Sequence, residues 1–193
     1  MPTQPSGQRK LQILQALAAM LEHPKGEKIT TAALARRLEV SEAALYRHFA
    51  SKAQMFEGLI EFIETSVFGL INQITERQQD GLAQACDILS MLLHFATNNP
   101  GMTRVLIGDA LVGEDERLQQ RMNAFYDRVE LALKGALRQA VADAAAGDQE
   151  RDVAARASLM VAFVVGRWHR YAKSGFALSP AQDANAQIAL LLR

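Results

Sequence analysis

The sequence has little cysteine, little proline and no long hydrophobic run. One cysteine, Cys86, in 193 residues can form no internal disulfide and can build no metal site alone, which excludes a disulfide scaffold and a zinc finger. The longest apolar run, residues 159–166, falls far short of the roughly 20 residues that a bilayer span needs. The N-terminus lacks the apolar core of a signal peptide. We therefore expect a cytoplasmic protein with no membrane partner.

The motifs of catalysis and cofactor binding are also missing. There is no His-Glu-x-x-His pair, no glycine-rich phosphate loop and no nucleophile elbow. The four histidines are scattered, and none lies beside a cysteine or carboxylate at metal-ligand spacing. The sequence therefore predicts a protein that is not an enzyme and that uses neither a metal nor a cofactor.

The net charge is zero, but the charge is unevenly distributed. Residues 1–56 carry eight basic and four acidic side chains, so residues 57–193 carry a net negative charge of the same size. The basic residues are Arg9, Lys10, Lys25, Lys28, Arg36, Arg37, Arg47 and Lys52. A basic N-terminal segment on an acidic remainder is typical of a chain that meets a polyanion at one end.

The hydrophobic periodicity predicts an all-α fold, with no strand-like segment of useful length. The five prolines leave two long windows rich in helix-forming residues. We expect helices over residues 8–22, from Thr30 or Thr31 to 38, and over 42–49, 52–78, 82–97, 102–107, 114–142, 151–173 and 180–192. Residues 144–149 are predicted to be a loop in which Gly147 follows a helix end. The helix over 151–173 is apolar nearly all round, which favours burial in the core or in a subunit interface.

Two of these helices, over about residues 30–49, have the dimensions of a helix-turn-helix, whose second helix enters the major groove of DNA. Ala43 and Ala44 are small enough to let the backbone approach base edges, and Tyr46, Arg47 and His48 are long donors suited to phosphates. The alternative is a solvated helical hairpin in which Tyr46 only packs. The candidate DNA-binding residues are Thr30, Thr31, Ser41, Glu42, Ala43, Ala44, Tyr46, Arg47, His48 and Lys52.

Residues 29–52, with Met55 and Phe56 following, resemble the N-terminal domain of TetR-type regulators. The resemblance implies a homodimer whose N-terminal three helices bind palindromic DNA and whose C-terminal antiparallel helix bundle dimerises. It divides the chain into a flexible N-terminus (1–7), a DNA-binding domain (8–54) and a dimerisation and partner-binding domain (55–193). Two residues depart from the family pattern: Glu39 stands at a turn position that is often glycine, and Ala50 replaces a common proline.

Within that family the chain is similar to bacterial nucleoid occlusion factors, in the segments 41–49, 59–64, 99–104 and 117–123. The resemblance implies a nucleoid-associated protein that binds chromosomal sites and, when bound, antagonises polymers of the tubulin-like division protein FtsZ. The tail of FtsZ would dock where the long helix after the helix-turn-helix meets the next helix. The residues expected there are Phe62, Ile63, Met91, His94, Phe95, Asn98 and Asn99.

Two alternatives stay open at this stage. Phe62, Met91 and Phe95 could be ordinary core residues. Leu70, His94 and Asn98 stand where the nucleoid occlusion factors tend to show arginine, glycine and arginine. The chain could also be a conventional repressor whose C-terminal bundle binds a small effector, although the bundle has few polar residues to orient one.

Overall fold

A computed structural model describes residues 6–23, 29–140 and 146–192, and over these residues it confirms the all-α fold. A short 3-10 turn, Asp109–Leu111, lies between α6 and α7. The helices are α1 (Ser6–Leu21), α2 (Thr31–Arg37), α3 (Glu42–Tyr46), α4 (Lys52–Arg77), α5 (Gly81–Asn98), α6 (Pro100–Leu106), α7 (Glu116–Ala140), α8 (Ala146–Lys173) and α9 (Ala184–Leu191).

Four successive helices begin at a polar side chain that caps them. Thr30, Ser41 and Ser51 each accept a hydrogen bond from the backbone N–H three residues on, at 3.1, 3.2 and 3.2 Å. Asp80 does the same for α5 at 2.9 Å. Each bond satisfies an amide that has no partner inside its helix. The predicted cap at Ser41 is confirmed, and Thr30 rather than Thr31 caps α2.

The first three helices form a small unit on the beginning of α4. Its interior contains Ile13 and Leu17 from α1, Leu34 from α2, Leu45 from α3 and Phe56 from α4, all at most 1% exposed. The burial of one apolar stripe from each helix holds α2 and α3 at a fixed angle. Because α4 continues from this unit into the rest of the chain, the predicted boundary at residue 54 falls inside a helix.

The remaining helices form a bundle in which α7 packs against α4, α5 and α8. Trp168 of α8 is buried at its centre and donates its Nε1–H to the carbonyl of Leu92 at 3.1 Å. Tyr171 donates from its hydroxyl to the carbonyl of Thr97 at 3.3 Å. These two bonds let amphipathic aromatic residues occupy the interior with their polar atoms satisfied.

Helix α6 joins the bundle to the small unit by packing on α1. Gly101 lies against the backbone of Ala18, and Arg104 donates to the carbonyl of Leu21 at 3.4 Å and to the carboxylate of Asp109 at 2.8 Å. The orientation of the small unit is therefore set by backbone contact and by a charged side chain together.

Several predicted boundaries are wrong by a few residues. Helix α1 begins at Ser6, so residues 6 and 7 of the predicted flexible N-terminus are helical, and residues 1–5 lie outside the described part. Helix α3 ends at Tyr46 rather than at 49. The predicted loop is helical from Ala146, and Gly147 lies inside α8, while residues 141–145 lie outside the described part. One glycine costs a helix only about 1 kcal/mol, which the longer helix outweighs.

The turn between α2 and α3 contains a left-handed residue that is not glycine. Glu39 has φ of 54°, its N–H bonds to the carbonyl of Arg36 at 3.1 Å, and Val40 N–H bonds to Ala35 at 3.0 Å. Glu39 therefore bears the steric cost of a left-handed conformation at the position that the family often fills with glycine.

We expect Glu39→Gly to stabilise the protein by roughly 1 kcal/mol, because glycine adopts this conformation without steric cost. Thermal unfolding should show a rise of about 2–4 °C in Tm. Glu39→Ala is the matched control, since it removes the carboxylate but keeps the Cβ atom. An equal rise in the Tm of the alanine variant would show that the lost charge, and not the backbone conformation, causes the stabilisation.

Candidate nucleic-acid interface

Helix α3 presents one face to the core and the other to solvent. Leu45 is 1% exposed and Phe49, just beyond the helix, is 7% exposed. The sequence-predicted contact residues lie on the opposite side. Ser41, Glu42, Ala43, Tyr46 and Arg47 are exposed, and Ala44 and His48 are half-buried. The structure thus brings most of the predicted DNA-binding residues to one surface.

A chain of side-chain hydrogen bonds connects α2 to α3 across this surface. Thr31 donates from its hydroxyl to the carboxylate of Glu42 at 2.6 Å, and Tyr46 donates from its hydroxyl to Thr31 Oγ1 at 3.4 Å. Because α2 starts at Thr31 and α3 at Glu42, the first bond holds the two N-termini together, and the second joins the end of α3 to the start of α2. Glu42, predicted as a DNA contact, already has a partner here, and its negative charge would repel a phosphate. We assign Glu42 to positioning Thr31.

Lys52 also has a partner that the sequence did not indicate. Its ammonium forms an ion pair with the carboxylate of Glu114 and lies 5.6 Å from the centre of the Phe56 ring. Glu114 is 62 residues away along the chain, in the segment between α6 and α7. No local pattern could have revealed this pairing.

Other basic side chains lie on α1 and α2, the helices that pack with α3 in the small unit. Arg36 and Arg37 are exposed at the end of α2. Lys10 of α1 lies 5.6 Å from the centre of the Phe49 ring. Lys25 and Lys28, which the charge count also included, lie outside the described residues. The described part of the small unit therefore carries several cations in addition to those on the exposed face of α3, which we call the recognition surface.

A second surface feature is a groove between α4 and α5 with a volume of about 330 Å³. We call it the α4–α5 groove. Three of its lining residues are apolar, Leu70, Ile74 and Met91, and the others are polar or charged. The lining residues are Leu70, Gln73, Ile74, Arg77, Asp87, Ser90, Met91 and His94.

The predicted partner-binding residues fall into three groups by exposure: three are exposed, one is buried and three are half-buried. Phe62 is 41% exposed, and His94 and Asn98 are also exposed. Phe62 shares a helix face with Gln73, because 11 residues make close to three helical turns. Ile63 is fully buried in the core, so its prediction as a partner contact is wrong. It belongs to the inward series at spacing four that includes Val67.

The other three predicted residues are half-buried. Met91 and Phe95 pack against the core while keeping part of their surface open. Asn99 donates from its side chain to the carbonyl of Phe95 at 2.8 Å and so caps the end of α5. His94 Nδ1 lies 2.8 Å from the carbonyl of Ser90, which fixes its ring along the groove wall. Met91 and Phe95 therefore pack in the core with one part of the side chain and leave another part accessible to a partner.

A third surface lies on α8. Ala155, Leu159, Ala162 and Gly166 are all exposed, at spacings of four, three and four residues. Leu159 is 58% exposed. A stripe of small residues around one leucine at this spacing lets another helix approach closely.

Two kinds of site are absent from the part of the chain that the structure describes. No group of three or more His, Cys, Asp or Glu side chains could hold a metal ion there. No helix among the same residues combines the length and the apolar character that crossing a bilayer requires.

Comparison with known protein families matches both parts of the chain. Residues 13–59 match the bacterial regulatory proteins of the TetR family, and residues 79–193 match the SlmA-like, tetracyclin repressor-like C-terminal domain. A solved TetR-family regulator from Bordetella parapertussis has a similar fold, with a TM-score of 0.75, 19% identity, and coverage of 95% of this chain and 94% of that one. The FadR regulator of Bacillus subtilis, solved with stearoyl-CoA, gives 0.74 at 14% identity, covering 94% of this chain and 97% of its own.

Curated relatives are much more similar in sequence. The nucleoid occlusion factor SlmA of Alteromonas mediterranea is 47% identical over 187 residues, which cover 97% of this chain and 95% of the relative. The protein of the same name from Marinomonas sp. (strain MWYL1) is 49% identical over 175 residues, covering 90% and 88%. The chain therefore belongs to the SlmA family of TetR-type proteins.

Proposed function

We propose that the protein is a homodimeric nucleoid occlusion factor that binds palindromic chromosomal sites and, when bound, antagonises the assembly of FtsZ polymers over the nucleoid. Its relatives at 46–49% identity carry the name nucleoid occlusion factor. The observation that carries the proposal is the exposed face of α3, held at a fixed angle above a packed core.

Helix α3 is the element that would enter the major groove. Ala43 and Ala44 offer no bulk, so the helix N-terminus can lie close to base edges. Tyr46 and Arg47 extend from the exposed face toward the flanking backbone, where they can donate to phosphates. The Thr31–Glu42 bond keeps α2 from shifting relative to α3 as the surface docks.

Binding to a palindrome requires two copies of α3. The α8 stripe with Leu159 at its centre supports dimerisation, because burying this face removes exposed apolar surface from water. A two-fold axis through this surface would repeat the recognition helix on the other subunit. The two copies would then read half-sites separated by whole turns of DNA.

The α4–α5 groove is the surface that suits a peptide partner. Its lining combines apolar side chains with two charged residues, Arg77 and Asp87. An extended or helical segment with apolar anchors fits such a site. We assign the tail of FtsZ to this groove, which Met91 and His94 line, and to the surface beside it, where Phe62, Phe95, Asn98 and Asn99 would make further contacts.

Sedimentation of GTP-assembled FtsZ tests this function. The protein is added with and without a palindromic duplex that it binds, and the polymer pellet is measured. A pellet that shrinks much more with duplex present supports the proposal. An unchanged pellet, with the duplex demonstrably bound, would make the chain a DNA-binding regulator with another output.

We expect Tyr46→Ala to lower DNA affinity about tenfold across unrelated sequences, because the side chain is 45% exposed on the recognition surface and would contact phosphates. A salt titration of duplex binding measures the loss. Tyr46→Phe separates ring from hydroxyl and should behave like the alanine variant if the hydroxyl makes the contact. If Tyr46→Ala binds the duplex with wild-type affinity at every salt concentration, Tyr46 makes no contact with the DNA.

A further inference from the structure

The first residue of α4 is held by a carboxylate from the distant part of the chain. Lys52 pairs with Glu114, and the two side chains are only 24% and 15% exposed. Lys52 lies in the segment that matches the TetR-family model, and Glu114 lies in the segment that matches the SlmA-like C-terminal model. The ion pair therefore connects the DNA-binding unit to the bundle.

The loop that carries Glu114 has little freedom. Gly108 and Gly113 both adopt positive φ, of 76° and 77°. A Cβ atom on Gly108 would lie 2.6 Å from Gln119 Oε1, so the chain passes close to α7 there. Leu111 is buried, and its carbonyl accepts from the N–H of Glu114 at 3.0 Å. The loop thus presents the carboxylate from a tight and anchored turn.

A carboxylate and a DNA phosphate are alternative partners for the same ammonium group. Lys52 follows the Ser51 cap at the start of α4, and it is one of the residues that the sequence predicts as a phosphate contact. We propose that Glu114 competes with the DNA backbone for Lys52, so that the bundle lowers DNA affinity through this pair. The proposal rests on the proposed DNA binding. When DNA takes Lys52, the ion pair between the α6–α7 segment and the DNA-binding unit is broken, while the packing of α6 on α1 remains.

The competition has a consequence for salt dependence. Each phosphate that a lysine neutralises releases condensed counterions and adds about 0.9 to the slope of log affinity against log salt. While Glu114 retains Lys52, that increment is missing. Replacing Glu114 by a neutral isostere frees the ammonium for a phosphate without adding any new contact of its own.

The test compares Glu114→Gln with Glu116→Gln in duplex titrations over a range of salt concentrations. Glu116 is exposed two residues further along and provides the matched loss of one negative charge. Glu114→Gln is expected to bind about three- to tenfold more tightly at low salt, with a slope steeper by about 0.9 for each half-site. Glu116→Gln is expected to change affinity by less than about twofold.

A double mutant shows whether the gain acts through Lys52. In a Lys52→Ala background, Glu114→Gln should no longer raise affinity. A gain that survives Lys52→Ala, an equal gain in Glu116→Gln, or weaker binding by Glu114→Gln would each overturn the inference. Glu114→Asp, which retracts the carboxylate by one methylene, should give a smaller gain and serves if the glutamine variant does not fold. If the wild-type chain binds no duplex, the proposed function itself fails instead.

Discussion

Phe62→Ala is expected to abolish the DNA-dependent antagonism of FtsZ while duplex affinity stays within about twofold of wild type. Phe62 is 41% exposed on α4, on the same side of the helix as Gln73, which lines the α4–α5 groove about three turns further on. It lies ten residues beyond Lys52, about 15 Å along the helix, and so away from the recognition surface. An aromatic anchor that a partner buries typically contributes about 2–4 kcal/mol, so its loss would weaken FtsZ binding at least 30-fold.

The two measurements are the FtsZ pellet and the duplex titration, made on the same preparation. Leu131→Ala is the matched control, because Leu131 is another exposed apolar residue, 62% exposed, and lies on α7 instead of on α4 or α5. It should leave both activities unchanged. Loss of both activities in Phe62→Ala, with a lowered Tm, would make Phe62 a structural residue. Full antagonism in Phe62→Ala would move the partner site elsewhere.

The helix-turn-helix was predictable because its signals are local. Thr30 and Ser41 each cap a short helix, and in each helix a buried leucine, Leu34 or Leu45, follows the cap by four residues, about one helical turn. The resemblance also marked the turn position of Glu39, where the family often has glycine. Local signals of this kind need no knowledge of the rest of the chain. They place side chains on a face but do not say what lies opposite that face.

The partners of Lys52 and Glu42 show this limit. The sequence predicts both as DNA-binding residues and indicates no partner for either within the protein. In the structure Glu42 accepts from Thr31 and Lys52 pairs with Glu114, across 11 and 62 residues. The first pairing joins residues at the starts of two adjacent helices and could have been inferred from the motif. The second depends on the path of the α6–α7 segment, which no pattern in the sequence encodes.

Ile63 was a different kind of error, and helical geometry explains it. Successive residues on a helix point about 100° apart, so Phe62 and Ile63 cannot both face the same groove wall. Ile63 continues the inward series of Leu59, Val67 and Ile71, all of which are buried. The resemblance predicts a partner site for the segment as a whole. The spacing of the apolar residues in that segment assigns each side chain to the core or to the surface.

Gly101→Ala is expected to destabilise the protein by about 2–3 kcal/mol, because the added methyl group has no space. A Cβ atom at this position would lie 2.0 Å from the carbonyl oxygen of Ala18 and 2.9 Å from its carbonyl carbon. Both are backbone atoms of α1, so no side chain can rotate away to accommodate it. Helix α6 would have to move off α1, and the Arg104 bond to Leu21 would be strained with it.

Thermal unfolding should show Tm lower by roughly 5–10 °C. Gly135→Ala is the matched control, since Gly135 lies in α7 with nothing within 4 Å of its Cβ position. Alanine favours a helix over glycine there, so Tm should rise slightly. A Gly101→Ala protein as stable as wild type would show that α1 and α6 can separate freely. The expected loss, with a gain at Gly135, would instead mean that the DNA-binding unit is held to the bundle by direct backbone packing, which only glycine permits.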